Sequence, residues 1–368
     1  MNLADHVAEL CLKLYDSFGK NGKPIKGEEW TQLAGVVMEI DNKFTVVSLA
    51  TGTKCIGVNS MCPKGTILND SHAEVLARRA FLRFIYEEMK EVKNGGHSEV
   101  FKWKSPKFDL RKNLKFHLYT SQVPCGDASI IPMEEVEELL PLSKRQKIDV
   151  YRTGAKPLCF GSKQDSKKSG ADYHVRGAVR TKPGRGNPTV SLSCSDKIAR
   201  WIYVGIQGAL LSHLIEGDLK LSTVVIGAGG PFNHDIIKHS LIGRSGVERN
   251  LPKILQSNLV FCDSPFKIIR GKPAPTSIIW SNVLNKPLDV SSRGRRLGTT
   301  TKSVDKGVVM VAKIEFLKQF LSLCSENWGK VTYREIKESA KNYQLWCRDF
   351  KKRMGIWSQK PEFENFSV

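Results

Sequence analysis

The chain has 368 residues, 40% of them hydrophobic, which is enough for a sizeable core in one large domain or two medium ones. No window approaches the roughly 18 continuous apolar residues of a membrane span, so a membrane-spanning helix is not expected. The net charge is +20, the nine cysteines are odd in number and dispersed, and no secretory leader is expected ahead of them. An intracellular reducing compartment is therefore expected, cytoplasmic or nuclear, with cysteines acting as core filler or metal ligands.

In chain order, residues 4–18 read as a short amphipathic helix. The β-rich stretches "QLAGVVMEI" at 32–40 and "KFTVVSLATG" at 43–52 predict a hairpin turned by "DNK". A long helix is expected over 71–92, with Val75, Leu76, Phe81, Leu82 and Ile85 on its apolar face and Ser71 or Asp70 as its cap. "NLKFHLYTSQ" at 113–122 alternates as a strand, and "VPCGDASIIP" then turns into a helix at 124–132. From 142 to 190 the chain is rich in Gly, Lys and Ser with little periodicity, which marks an insert or a set of surface loops.

A helix is expected from Cys194 to about Leu214, a strand at 221–230 and a helical stretch near 233–243. Strand-like pieces at 258–262 and 277–281 precede two closing helices, roughly 305–325 and 332–354. Strands alternating with helices predict an α/β core with a more helical C-terminal portion, about 305–368, packed on it. Neither a repeat, nor a separating linker, nor an appended RNA-binding module is expected.

The charge is uneven. Between Ser143 and Arg200 fourteen Lys or Arg residues stand against four acids, half of the whole excess. That pattern favours a polyanionic partner, most naturally nucleic acid, although a basic solvated surface has the same composition.

His72 and Glu74 stand two apart at the predicted helix start, and this pairing suits nucleobase deamination. Zinc needs three protein ligands and an open position for water, and a carboxylate off the metal must move the proton. A tight Pro-Cys-x-x-Cys usually completes such a site. Here Pro124-Cys125 offers one cysteine, and Cys194 follows 69 residues later. Each cysteine is expected between a strand and a helix, where two helix N-termini would favour thiolates. A packed histidine and two buried structural cysteines would account for the same residues.

The blocks "NDSHAEVLARR", "SQVPCGDASIIP" and "SCSDKIARWIYVGIQGALLS" resemble the zinc-site blocks of the adenosine-to-inosine RNA-editing deaminase family. The similarity runs from "TGTKCIG" at 51–57 to "GIWSQKP" at 355–361. It implies one editase domain over 1–368, a cytidine-deaminase-like three-layer core around a mixed sheet, and zinc-site blocks at 69–92, 121–132 and 191–214. It also implies His72, Cys125 and Cys194 as zinc ligands, with zinc-activated water attacking C6 of adenosine while Glu74 shuttles protons and ammonia leaves. Thr53 and Lys54 match residues that approach the target nucleotide, although an exposed lysine is ordinary.

Lys197, Arg200, Trp201, Val204 and Gln207 mix charge and bulk on one helical stripe, which is either a solvated face or a buried site needing a counterion. The resemblance implies one enclosed inositol hexakisphosphate, structural and not a reactant. Asn69, Arg78, Arg79, Lys197, Arg200, Trp201, Gln207, Lys313, Tyr333, Lys337, Tyr343, Trp357 and Lys360 fall on its matching positions. Cys347 and Gln359 depart from the family's lysine and glutamate, so some contacts must differ.

The duplex editors of the family have a base-flipping glutamate in the segment that aligns near 151–161, where this chain has Lys156 and Pro157. An already exposed loop base needs little flipping. "YRTGAK" and "VRTKPGRG" at 179–186 resemble the tRNA branch. The implied reaction is adenosine to inosine at position 37 of alanine tRNA by a monomer, with Lys156 and Arg185 of the basic insert on the tRNA backbone. Editing of double-stranded or messenger RNA, a free-nucleoside deaminase and a non-catalytic RNA-binding relative are the alternatives.

Overall fold

The computed structural model describes residues 1–132, 150–151, 155–158, 175–184, 187–248, 251–325, 328–358 and 363–368. In chain order the first elements are α1 (Leu3–Ser17), β1 (Leu33–Ile40), β2 (Lys43–Thr51), β3 (Thr53–Cys55), β4 (Asp70–His72), α2 (Ala73–Lys93) and β5 (Leu114–Thr120). Then come α3 (Cys194–Val204), β6 (Thr223–Ile226), α4 (His234–Leu241), β7 (Lys253–Gln256), β8 (Thr276–Ser281), β9 (Leu288–Ser292) and β10 (Arg295–Arg296). Three helices close the chain, α5 (Lys313–Leu323), α6 (Tyr333–Ser339) and α7 (Lys341–Met354).

Nearly every residue of β1 is apolar and buried, as in a strand covered on both faces. It pairs with β2 through Asp41 and Asn42, both at positive φ (48° and 64°), a conformation that Asp and Asn tolerate in a two-residue hairpin turn. The eight-stranded mixed sheet has the order β7-β6-β5-β1-β2-β8-β9-β10. β6 is parallel to both β5 and β7, and the other pairings are antiparallel.

Side-chain alternation divides the core. Leu33, Val37, Val46 and Leu49 meet Val7, Ala8, Cys11 and Tyr15 of α1 on one face. Ala34, Val36, Val47 and Ala50 meet Leu76, Ala77, Ala80 and Phe81 of α2 on the other, where Ile202, Ile237 and Leu317 bring in α3, α4 and α5. The result is a three-layer α/β fold with the C-terminal helices on the α2 side. Among the described residues no helix is long and apolar enough to cross a membrane.

Several boundaries differ from the sequence expectation. His72, not Ser71 or Asp70, is the N-cap of α2, because Asp70–His72 is drawn into a ladder with Thr53–Cys55. Residues 124–132 form a single 3-10 turn at Asp127–Ser129 and a two-residue strand, with Gly126 at φ 107° preceding and β-branched Ile130 and Ile131 following. The helix from Cys194 ends at Val204, where Gly205 takes φ 97°. β7 lies before 258–262: Ser257 N still donates to the Ile226 carbonyl of β6 (2.8 Å), but Asn258 N turns away to Asp5 (2.6 Å). A 3-10 stretch at 301–307 precedes α5, and Ala340 (ψ 67°) divides the last helix into α6 and α7. Much of the basic insert lies outside the described residues; its described ends form short ladders, 150–151 with 131–132 and 156–157 with 180–181.

Candidate metal centre and adjoining basic cavity

Three segments deliver three ligand-type side chains to one point. β4 pairs with β3 in the register Thr53↔His72, and Ala73 N donates to the Gly52 carbonyl (3.0 Å), so His72 leaves the ladder at the head of α2. Cys125 follows β5, which Ser121 pins to Leu33 through bonds of 2.8 and 3.0 Å. Cys194 opens α3, capped by Ser193. The cysteine segments are laced together: Ser195 N and Oγ both donate to the Cys125 carbonyl at 3.0 Å, and Cys194 N lies 3.3 Å from Cys125 Sγ. Only glycine fits between them, because a Cβ on Gly126 would fall 2.3 Å from Ser193 Oγ.

His72 Nδ1 is 3.7 Å from Cys194 Sγ and 3.9 Å from Cys125 Sγ, and the three ligand atoms lie within 4.8 Å of one another. Tetrahedral zinc with ordinary Zn–S and Zn–N bonds spaces such atoms by about 3.6 Å. The donor set, the spacing and the burial therefore fit a zinc ion with a fourth position open. With protons alone to balance charge, burial and Lys182 push the His72 pKa down, but the Cys125 thiolate overrides them and raises it to about 10. A hydrogen bond from Cys194 holds the Cys125 thiol well below its ordinary range, and burial pushes Cys194 up, so the pair favours one thiolate. Glu74, in the first turn of α2, is 1% exposed, and its Oε2 has no hydrogen-bond partner among the described residues. Burial, then the Cys125 charge, raises its pKa. A buried carboxylate left open beside three ligand-type atoms is a group free to exchange a proton.

Behind the centre lies a cavity of about 490 Å³. Asn69, Arg78, Arg79, Lys197, Arg200, Trp201, Gln207, Lys313, Tyr333, Lys337, Tyr343 and Trp357 all line it. Lys360 and Gln359 lie outside the described residues. Val204 leaves the proposed stripe and packs with Phe350 and Met354. Eight Lys or Arg side chains line the cavity against three acids, Asp70, Glu338 and Glu364. Burial and the neighbouring cations depress the Arg78 guanidinium to about 10, and burial alone does the same to Arg79. Arg200 Nε has no hydrogen-bond partner among the described residues. So many crowded cations, held by aromatic rings and few acids, fit a dense polyanion.

Residues 48–361 match the family model of the adenosine-deaminase (editase) domain. The chain belongs to the adenosine-deaminase (editase) family. It is 35% identical to tRNA-specific adenosine deaminase 1 of Drosophila melanogaster over 96% of this chain and 94% of that protein. It is 33% identical to the human protein of the same name over 97% and 98%. Identity to the mouse double-stranded RNA-specific adenosine deaminase is 29% over 98% of this chain but 32% of that protein. The chain is thus an enzyme of the adenosine-deaminase type.

The expected substrate contacts are less convergent. Thr53 sits beside His72 in the β3–β4 ladder, and its buried Oγ1 has no partner among the described residues. Lys54 lines a smaller cavity with Cys55 and Arg293. Lys156 is exposed in the ladder with Arg180–Thr181, and Arg185 is outside the described residues. Sequence reasoning about this deaminase missed Asp70 as a buried hub. Asp70 accepts from Lys182 (2.8 and 3.1 Å) on the centre's side and from Lys197 on the cavity side. Lys182 was hidden in a stretch that reads as generic basic loop. Two further lining residues, Lys351 and Glu364, were also missed.

Proposed function

We propose that this editase converts adenosine to inosine in tRNA, with position 37 of alanine tRNA as the target and a monomer, cytoplasmic or nuclear, as the working unit. The observation that carries the chemistry is the buried Glu74 carboxylate, one oxygen of which has no hydrogen-bond partner among the described residues, beside the His72, Cys125 and Cys194 triangle. The tRNA substrate is supported by relatives named tRNA-specific that align end to end.

In this reading His72, Cys125 and Cys194 hold zinc, with the chain acting as one domain over 1–368. Bound zinc supplies Lewis acidity that brings a water's pKa towards neutrality. Glu74 takes a proton from the attacking water at its open oxygen and passes it to the purine ring nitrogen, then takes the second proton from the hydroxyl newly attached at C6 and gives it to the departing amine. Adenosine and water give inosine and ammonia, and the carboxylate ends as it began. Lys182 holds positive charge next to the thiolates. Thr53 and Lys54 flank the entering nucleotide, while Lys156, Arg185 and the rest of the basic insert lie along the tRNA backbone. Inositol hexakisphosphate fills the basic cavity and fastens α5, α6 and α7 to the core.

The test is inosine formation in a pool of unmodified tRNAs, read by sequencing, with Glu74→Gln alongside. A guanosine readout at one anticodon-loop adenosine, lowered about 10²–10⁴-fold in the variant, is expected. Signal confined to duplex RNA would move the substrate assignment to that class, and equal signal from Glu74→Gln would remove Glu74 from its role.

A further inference from the structure

Asp127 and Asp196 each stand two residues after a cysteine of the candidate metal centre, and both are buried. One guanidinium lies between them. Arg244, in the Gly243–Ser245 turn after α4, places Nη1 2.8 Å from Asp196 Oδ1 and Nε 3.5 Å from Asp127 Oδ2, with its side chain 4% exposed. Its Nε also donates to the Ser240 carbonyl at 2.8 Å, which fixes the guanidinium against the last turn of α4. The second oxygen of each carboxylate holds the returning end of the basic insert. Gly177 N donates to Asp127 Oδ1 at 2.6 Å, and Arg180 N donates to Asp196 Oδ2 at 2.8 Å.

A buried arginine facing two buried carboxylates is a poor way to fill space, since apolar residues of similar volume are often at least as stable. Its distinguishing property is placement: one cation held by the Ser240 carbonyl sits between both carboxylates as an ion pair, while Asp196 Oδ1 and Arg244 Nη2 have no hydrogen-bond partner among the described residues. Cys125 hangs on a glycine-kinked turn with only one 3-10 turn behind it, whereas Cys194 begins an eleven-residue helix. The two segments already meet through the Ser195 bonds to the Cys125 carbonyl, on the side that faces the thiols. Arg244 ties them from behind through a third element.

We propose that Arg244 is a positioning residue of this deaminase: through Asp127 and Asp196 it fixes the separation of Cys125 and Cys194 and registers the insert's return, which carries Lys182, against the metal centre. The proposal rests on reading His72, Cys125 and Cys194 as metal ligands.

The test compares the full-length wild type with Arg244→Gln, Arg244→Lys and Arg83→Gln. The last is a control, a buried arginine that donates to the Asn285 and Lys286 carbonyls. Cobalt(II) affinity is measured by chelator competition from the thiolate absorption bands, with kcat and KM for tRNA alongside. Arg244→Gln is expected to weaken metal binding about 10–100-fold, the usual effect of losing an outer-shell partner, while KM stays within about twofold. Arg244→Lys recovers part of the loss, and Arg83→Gln leaves affinity unchanged. A folded Arg244→Gln protein with wild-type affinity overturns the proposal. A wild type with no cobalt affinity would instead defeat the metal reading beneath it. If Arg244→Gln fails to fold, hydrogen exchange of the wild type decides: chelation should accelerate exchange at the Gly177 and Arg180 amides, and unchanged exchange there overturns the proposal.

Discussion

Lys182 and Asp70 form a buried ion pair, with Nζ 2.8 and 3.1 Å from the two carboxylate oxygens, and Lys197 reaches the same carboxylate from the basic cavity. Burial disfavours both charges, but each holds the other: Asp70 lies well below and Lys182 well above its ordinary range. Removing one partner of such a pair leaves a buried charge undercompensated. Lys182→Met should therefore destabilise the protein by on the order of 3 kcal/mol, read by urea unfolding. It should also weaken metal binding, because Lys182 holds positive charge near both thiolates. Unchanged unfolding and metal affinity would show that Lys197 alone balances Asp70.

Much of this arrangement was legible in the sequence. The local patterns singled out His72, Cys125 and Cys194, which the fold draws together across 122 residues, with Glu74 two positions after His72. The β1–β2 hairpin is where the β-rich runs and "DNK" put it. The misplaced boundaries have local causes: a positive φ at Gly126 and Gly205 stops two predicted helices, and Asp5 takes the Asn258 N–H away from the sheet. The partners of Asp70 were illegible because Lys182 and Lys197 are far from it in sequence, and charge alone does not say which lysines are buried. Arg244 was illegible for the same reason.

Gly126 should tolerate no side chain. Its φ of 107° disfavours any L-residue, and a Cβ would lie 2.3 Å from Ser193 Oγ and 2.5 Å from Ser195 Oγ. Gly126→Ala must push Cys125 away from the cap of α3. The expected outcome is loss of metal content in purified protein, by elemental analysis, together with a lower Tm. Full metal content would mean that the two segments separate without moving the thiolates.

Glu364 joins Lys313 and Lys337 across the basic cavity, at 3.1 Å to Lys313. Burial opposes its charge, yet Lys337 and then Lys313 lower its pKa to about 2. A carboxylate depressed on folding contributes stability above its unfolded pKa, near 4.5, and loses it as pH falls towards 2. For polyanion-free protein that contribution is on the order of 3 kcal/mol at neutral pH. Glu364→Gln should thus cost most at pH 7 and little near pH 2.5, by urea unfolding at the two values. A cost independent of pH would assign Glu364 a packing role.

The same carboxylate predicts how a polyanion behaves. Arg78, Arg79, Arg200 and Lys351 face the cavity with no carboxylate paired to them among the described salt bridges, while Glu364 engages Lys313 and Lys337. Inositol hexakisphosphate added to stripped protein should bind the folded state alone and raise Tm, by about 4 kcal/mol of stability at a thousandfold excess over Kd. Arg200→Met should reduce that gain by removing a cation that stacks on Trp357 and whose Nε has no hydrogen-bond partner among the described residues. Glu364→Gln should act in the opposite direction: its polyanion-free Tm is lower, but its gain on adding the polyanion is larger, since no internal carboxylate competes for Lys313 and Lys337. Thermal unfolding with and without the polyanion checks all three proteins together. Equal gains in wild type and Arg200→Met would place the polyanion outside the cavity.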